Sequence, residues 1–206
     1  GNKLIPQVRK VHPDLVVGLC SYTDLWDCPE NMTMEDGLSM CQTVWASAAN
    51  GGLRKFGDPN GRGMIGTKIA DNMMRFLKIT DKVTVYEYYM GNYGNRHRLL
   101  PAADEIQPIA KFYMEHGIGG SSTQIECFNI WNNLLNFYCF GRTQYDSDLS
   151  VEDQIQKICK LFGNGAKYVE EIFRIYEETN QGELPLNQAS QQLRENIDAD
   201  KVYALF

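Results

Sequence analysis

Three carboxylates of this 206-residue sequence lie at or near the ends of short apolar runs: Asp24, Glu87 and Glu126. Hydrolysis of a glycosidic bond requires two carboxyl groups, held ~5 Å apart for retention or roughly 6.5 to 9.5 Å apart for inversion. Glu87 is the strongest catalytic candidate because it interrupts an apolar and aromatic run, where an ionised group must be paired or shift its pKa. A buried ion pair without a catalytic role is the alternative interpretation of Glu87.

The ends of these apolar runs also carry side chains of the types that bind sugars. Aromatic rings stack on the apolar faces of sugar rings, and amides exchange hydrogen bonds with sugar hydroxyls. The predicted substrate-binding residues are Tyr22, Trp26, Trp45, Tyr89, Asn92, Tyr93, Gln124 and Trp131. Packing in the core is the simpler interpretation of any one aromatic residue, but their clustering favours a binding site.

An alternation of strands and helices must position these clusters. The apolar runs predict strands at 15–22, 38–46, 83–89 and 119–125, and the helical patterns fall at 4–11, 67–77 and 102–116. This order is typical of an α/β fold whose parallel strands are joined by crossover helices. The glycine-rich segment 50–66 predicts a loop.

After the fourth strand the pattern is helical only. Helices are predicted at 130–140, 151–162, 165–179 and, more weakly, 187–196. Ser150, with Asp153 three residues later, predicts the N-cap of the second of them. We therefore divide the chain into four βα units at 1–146 and a C-terminal helical extension at 147–206.

Composition limits the partners. Lys and Arg number 20 against 26 Asp and Glu, so the net charge of -6 gives no electrostatic basis for nucleic acid as a partner. No apolar run approaches the ~20 residues of a membrane span.

The six cysteines lack the spacing of a zinc site, so we expect no metal, no cofactor and structural thiols instead of disulfides.

Three segments carry a resemblance to a known family: VTVYEYY at 83–89, YMEHGIGGSSTQIE at 113–126, and the most specific one at 131–178. The chain resembles a family of glycoside-hydrolase-like barrel domains, formally of unknown function, from glycan-degrading proteins of gut bacteria. Tyr145 stands where that family usually has Trp. The matching positions of the last segment are Leu135, Asn136, Tyr138, Arg142, Tyr145, Asp146, Phe162, Gly163 and Ala166.

The resemblance implies a (β/α)8 barrel related to α-glucuronidases and β-hexosaminidases, with the four strands as the fifth to eighth. It also implies an extracellular, periplasmic or cell-surface location. Because a complete barrel takes about 250 residues, we expect a C-terminal half-barrel whose exposed sheet edges recruit the missing N-terminal half or a second copy. In relatives that hydrolyse amino sugars, the key acidic pair follows the fourth strand, outside this half.

The predicted function is part of a glycoside hydrolase that supplies substrate-binding residues for a carbohydrate ligand and is inactive alone. The alternative is a non-catalytic carbohydrate-binding or scaffold domain, because a barrel fold does not by itself establish chemistry. A third interpretation is a protein-interaction module built from the C-terminal helices.

Overall fold

The predicted alternation of strands and helices is present in the computed structural model, which describes residues 1–22, 26–44, 63–90, 103–125 and 133–180. The strands are β1 (Val17–Ser21), β2 (Leu38–Thr43), β3 (Val83–Met90) and β4 (Ser121–Ile125). The helices are α1 (Ile5–Arg9), α2 (Gly63–Leu77), α3 (Ala103–Glu115), α4 (Leu134–Tyr145), α5 (Val151–Cys159) and α6 (Ala166–Asn180), with a 3₁₀ helix (Lys160–Gly165) before α6.

The four strands form one parallel sheet in the order β1-β2-β3-β4. This confirms an α/β fold with a parallel sheet. The link between β1 and β2 differs from the expected crossover, because its described residues, 26–37, contain no helix. The Asn2 side chain donates a hydrogen bond to the carbonyl oxygen of Thr33 and accepts one from the backbone N–H of Glu35. These two hydrogen bonds hold the irregular link in place.

The hydrophobic core lies against one face of the sheet. Met40, Val83 and Val85 alternate along their strands and pack with the buried stripes of the helices. The buried stripes are formed by Ile69, Met73 and Phe76 of α2 and by Ile106, Ile109, Ala110 and Tyr113 of α3. Burying one such side chain contributes about 1.5 to 3 kcal/mol, so this face carries much of the stability.

The strand residues that alternate with the core residues form a second face of the sheet. They are Gly18, Cys20, Ser39, Cys41, Thr43, Thr84, Tyr86 and Ser122. Of these, Cys20, Cys41 and Tyr86 have the most apolar side chains, and none of the three belongs to the core that the described residues form. Parallel sheets are normally covered on both faces. The second face is therefore where a further layer is expected.

Several boundaries differ from the predicted ones. α2 begins at Gly63, so the loop predicted for 50–66 is wrong over its last four residues. Glycine has a low helix propensity, and the periodic residues further along the helix outweigh it. α4 runs to Tyr145 instead of ending at 140. The helix predicted for 151–162 ends at Cys159 and continues as the 3₁₀ helix, and the weak helix at 187–196 lies outside the described residues.

Ion pairs connect elements at the surface. Asp36, in the turn before β2, lies 2.9 Å from Arg9 Nη1 and 2.8 Å from Lys82 Nζ. These two cations hold the pKa of the Asp36 carboxyl well below its usual range, with the Lys82 hydrogen bond as the largest cause. In α5, Glu152 pairs with Arg174 of α6. Across the described residues, no helix combines the length and apolar character needed to cross a membrane.

Candidate functional site

The carboxyl ends of parallel strands meet at one edge of a sheet, and ligands of α/β proteins bind there. We call this end of the sheet the carboxyl edge. Three predicted binding residues lie there: Tyr22 after β1, Tyr89 near the end of β3, and Gln124 near the end of β4. Asp24, Trp45, Asn92, Tyr93, Glu126 and Trp131 lie outside the described residues.

Among the predicted residues that the structure describes, Tyr22 is the most accessible, since 42% of its surface is exposed. Trp26 is half-buried, and its indole Nε1 donates a hydrogen bond of 2.7 Å to the carbonyl oxygen of Thr43. The indole thus connects the segment after β1 to the end of β2. Tyr22 can contact a ligand that arrives from solvent, whereas Trp26 also stabilises the carboxyl edge through its hydrogen bond to Thr43.

A buried polar network, which the sequence prediction missed, fixes the carboxyl ends of β1 and β2. Asn72 of α2 donates hydrogen bonds of 2.6 Å to the Trp26 carbonyl oxygen and to Gln42 Oε1. Its own Oδ1 accepts from the backbone N–H of Cys28 at 2.6 Å. Asn72 lies three residues after Ile69, on the buried stripe of α2. A polar residue on an apolar stripe was the signal that could have revealed it.

Two hydroxyl groups complete the network. Ser21 Oγ donates to the Trp26 carbonyl oxygen at 2.7 Å, and Thr43 Oγ1 donates to the Ser21 carbonyl oxygen at 2.6 Å. Satisfied buried networks of this kind rigidify their surroundings. The first two strand ends therefore form a preorganised base for the residues after them.

Glu87 lies on the core face of β3, behind the carboxyl edge. Its side chain is 0% exposed, and its Oε1 accepts a hydrogen bond from the hydroxyl of Tyr113 on α3. Burial, followed by the nearby Glu87 carboxylate, raises the pKa of Tyr113 well above its usual value, so the hydroxyl keeps its proton. In this arrangement Glu87 joins α3 to β3, and its catalytic role stays a prediction.

Tyr89 is also enclosed, with 6% of its surface exposed. Its ring packs against that of Phe140, with 5.8 Å between ring centroids. Its carbonyl oxygen accepts a 2.8 Å hydrogen bond from Asn136 Nδ2 of α4. Gln124 is half-buried. In this structure Tyr89 anchors α4 to the end of β3. Among the predicted residues that the structure describes, Tyr22 and Gln124 are more accessible than Tyr89.

Two tyrosines beside Glu87 were missed as candidates. Tyr86 lies on the second face, and the Tyr88 ring meets it edge-on with 5.3 Å between centroids. Strand alternation could have predicted this. If Val83, Val85 and Glu87 share the core face, then Tyr86 must point the opposite way. Tyr86 is half-buried and Tyr88 is buried, so Tyr86 is the ring of the pair that adds aromatic surface to the second face.

The amino ends of the strands present a different surface. A cavity of about 150 Å³ lies there, lined by Tyr113, residues 118–121 and Gln144 among others. Ligands of α/β proteins bind at the opposite, carboxyl ends of the strands, so we assign this end no site. Within the described ranges, no three His, Cys, Asp or Glu side chains are close enough together to hold a metal ion.

Comparison with known families adds one finding. Residues 1–174 match the model of a family described as "Domain of unknown function (DUF4838)". The match covers the four strands and ends within α6, close to residue 178, where the resemblance seen in the sequence ends. No curated protein matches the chain, and no solved structure matches it.

Proposed function

The chain belongs to the DUF4838 family, and we propose that it is the C-terminal part of a glycoside hydrolase that supplies the substrate-binding residues of a (β/α)8 barrel. The observation that carries this proposal is the one-sided parallel sheet. Within the part of the chain that the structure describes, the core lies against one face, and the second face bears small and aromatic side chains outside that core. A barrel has this arrangement, since its helices lie outside the sheet and its other face lines the interior.

Strand order supports a barrel over an open, doubly wound sheet. Each strand here pairs with the next one along the chain, from β1 to β4. A doubly wound sheet reverses its strand order at a switch point and carries helices on both faces. In the proposed barrel these strands are the fifth to eighth, and the missing half covers the second face.

The carboxyl edge supports a carbohydrate as the ligand. In a barrel this edge becomes the mouth, where substrates bind. Tyr22 is exposed there, half-buried Tyr86 lies close to it, and half-buried Gln124 offers an amide. Aromatic rings and amides together match the apolar faces and hydroxyl groups of sugars.

A specific observation favours the second candidate function, a non-catalytic carbohydrate-binding domain. Glu87, the candidate catalytic carboxylate that lies within the described residues, is fully buried and accepts a hydrogen bond from Tyr113. A solvent-borne substrate does not reach a carboxylate in that position. Hydrolysis then depends on Asp24, Glu126 or carboxylates of the other half-barrel.

The test assays the protein expressed at the full length of its coding sequence against a panel of aryl glycosides and aryl uronides. The 206-residue chain is the control, and Glu87→Gln, Asp24→Asn and Glu126→Gln are compared after circular dichroism has shown that they fold. Cleavage by the full-length protein supports the hydrolase, and a loss of about 100-fold or more identifies a catalytic carboxylate. Binding of glycans without cleavage selects the second function. Neither binding nor cleavage overturns both.

A further inference from the structure

Two cysteines face each other across the first strand pair. Cys20 of β1 and Cys41 of β2 are register partners in the parallel ladder, so both side chains lie on the second face. Neighbouring strands run about 4.8 Å apart. A disulfide requires roughly 4.4 to 6.8 Å between its Cα atoms. The backbone therefore holds the two residues at a spacing that a disulfide can bridge.

The two thiols differ from the other described cysteines. Cys20 is exposed and Cys41 is half-buried, whereas Cys28, Cys139 and Cys159 are buried. The structural role expected for the cysteines does not fit Cys20, because its side chain is exposed on the second face. The Cys41 thiol interacts with both the Cys20 thiol and the Thr84 hydroxyl. A reagent in solvent meets Cys20 first, with Cys41 next to it.

We propose that Cys20 and Cys41 form a redox-active dithiol on the second face, which small-molecule disulfides oxidise to a cross-strand disulfide. The inference rests on strand register and on the exposure of Cys20 in the 206-residue chain, and it applies where the second face is open to solvent. The two cysteines are thus proposed as a site of thiol oxidation, and small-molecule disulfides are the class of reagent that oxidises them.

The reaction proceeds by two exchanges. The Cys20 thiolate attacks one sulfur of the reagent, the reagent S–S bond breaks, and the released thiolate takes up a proton. The Cys41 thiolate then attacks the Cys20 sulfur of the mixed disulfide and releases the second reagent thiol. Two protein thiols are thus oxidised by two electrons, and one reagent disulfide is reduced to two thiols.

The different burial of the two thiols determines which of them carries out each exchange step. Desolvation is the largest influence on Cys41 and raises the pKa of its thiol, so less of it is thiolate at neutral pH. Exchange rates depend on the thiolate fraction of the attacking group and on its access to the reagent. Exposed Cys20 therefore attacks the reagent, and Cys41 resolves the mixed disulfide.

The test treats the folded 206-residue chain with oxidised glutathione, blocks remaining thiols with N-ethylmaleimide in acid-quenched samples, and maps peptides without reduction. Cleavage before aspartates separates Cys20, Cys28 and Cys41, because Asp24, Asp27 and Asp36 lie between them. We expect a peptide pair linked through Cys20 and Cys41, with circular dichroism unchanged.

Two variants make the result decisive. In Cys41→Ser, the Cys20–glutathione adduct should accumulate to at least ten times its wild-type level because the resolving thiol is gone. Cys28→Ala, which changes a buried cysteine, should still give the Cys20–Cys41 link. A stable glutathione adduct on Cys20 in the wild-type chain, a link from Cys20 to any other cysteine, or no reaction at either residue would overturn the proposal.

Discussion

At the scale of single residues, Glu87 and Tyr113 set the central constraint on the site. A buried carboxylate is costly unless donors satisfy it, and the Tyr113 hydroxyl supplies one such donor to Oε1. The bond spans from β3 to α3, so it also fixes where the helix sits behind the carboxyl edge. The chemistry of Glu87 is therefore tied to the packing of α3.

Tyr113→Phe removes this donor while keeping the ring. We expect the free energy of unfolding, measured in urea at pH 7, to fall by about 1 to 3 kcal/mol, because a buried acceptor loses a hydrogen bond. Tyr168→Phe is the matched control, since that ring is partly exposed on α6, and it should change the value by no more than about 0.5 kcal/mol. Equal effects of the two substitutions would show that the Glu87 bond contributes nothing.

Residue roles were only partly predictable from the sequence. The burial of Glu87 followed from its apolar run, but the partner Tyr113 lies 26 residues away and only the packed helix brings them together. Asn72 was missed because its three partners belong to other elements. Such bonds depend on tertiary placement, which local spacing does not contain.

At the scale of elements, helix starts depend on local capping. Ser150 Oγ accepts a 3.3 Å hydrogen bond from the backbone N–H of Asp153, as its spacing predicted. Glu152 and Asp153 add negative charge to the first turn of α5, where the helix dipole favours it. This start is therefore set by a few adjacent residues.

Ser150→Ala should lower the free energy of unfolding by about 0.5 to 2 kcal/mol, because the N-cap acceptor is lost. Chemical denaturation monitored by circular dichroism measures the change. Ser150→Asp is the matched control and should stay near the wild-type value, since Asp also caps well. If Ala and Asp behave alike, the cap does not stabilise α5.

Periodicity was sufficient to predict the strands and most helices, because their apolar stripes are local. It failed at Gly63, where glycine had indicated a loop, and at the link between β1 and β2, where no crossover helix is present in the described residues. Alternation in 83–89 was the signal that could have separated the two faces of β3. Which face carries the core was decided by packing against α2 and α3.

At the scale of the whole molecule, Asp36 links three parts of the chain through Arg9 of α1 and Lys82 before β3. Its pKa is lower in the folded state than in the unfolded chain. Its contribution to stability is therefore present above the unfolded value of about 3.9 and is lost as pH falls below it.

Asp36→Asn should flatten this acid response. Urea unfolding at pH 7, 5 and 3 should show a larger loss of stability between pH 5 and pH 3 for the wild type than for the variant. Because Asp36 is largely exposed and Arg9 and Lys82 are partly exposed, high salt should shrink the difference. Identical pH profiles would mean that the Asp36 ion pairs do not affect folding.

The one-sided sheet also has consequences for assembly. Leu15 and Val16 lead into β1, which is an edge of the described sheet, and both are exposed. Exposed strand edges pair with other chains. We expect multi-angle light scattering to show dimers or larger species of the 206-residue chain, which Val16→Lys should reduce. A monomer at every concentration would contradict the open-barrel proposal.

The most direct test of the central claim, that the carboxyl edge binds carbohydrate, is calorimetric titration of the chain with glycans selected on an array. Tyr22→Ala should weaken binding about tenfold, the loss of one stacked ring. Tyr145→Ala is the control, since this ring is 95% exposed and follows Gln144, which bonds to Ser121 at the amino end of β4. We predict that only Tyr22→Ala weakens binding; no binding at millimolar glycan, or equal losses in both variants, would contradict carbohydrate binding at this edge.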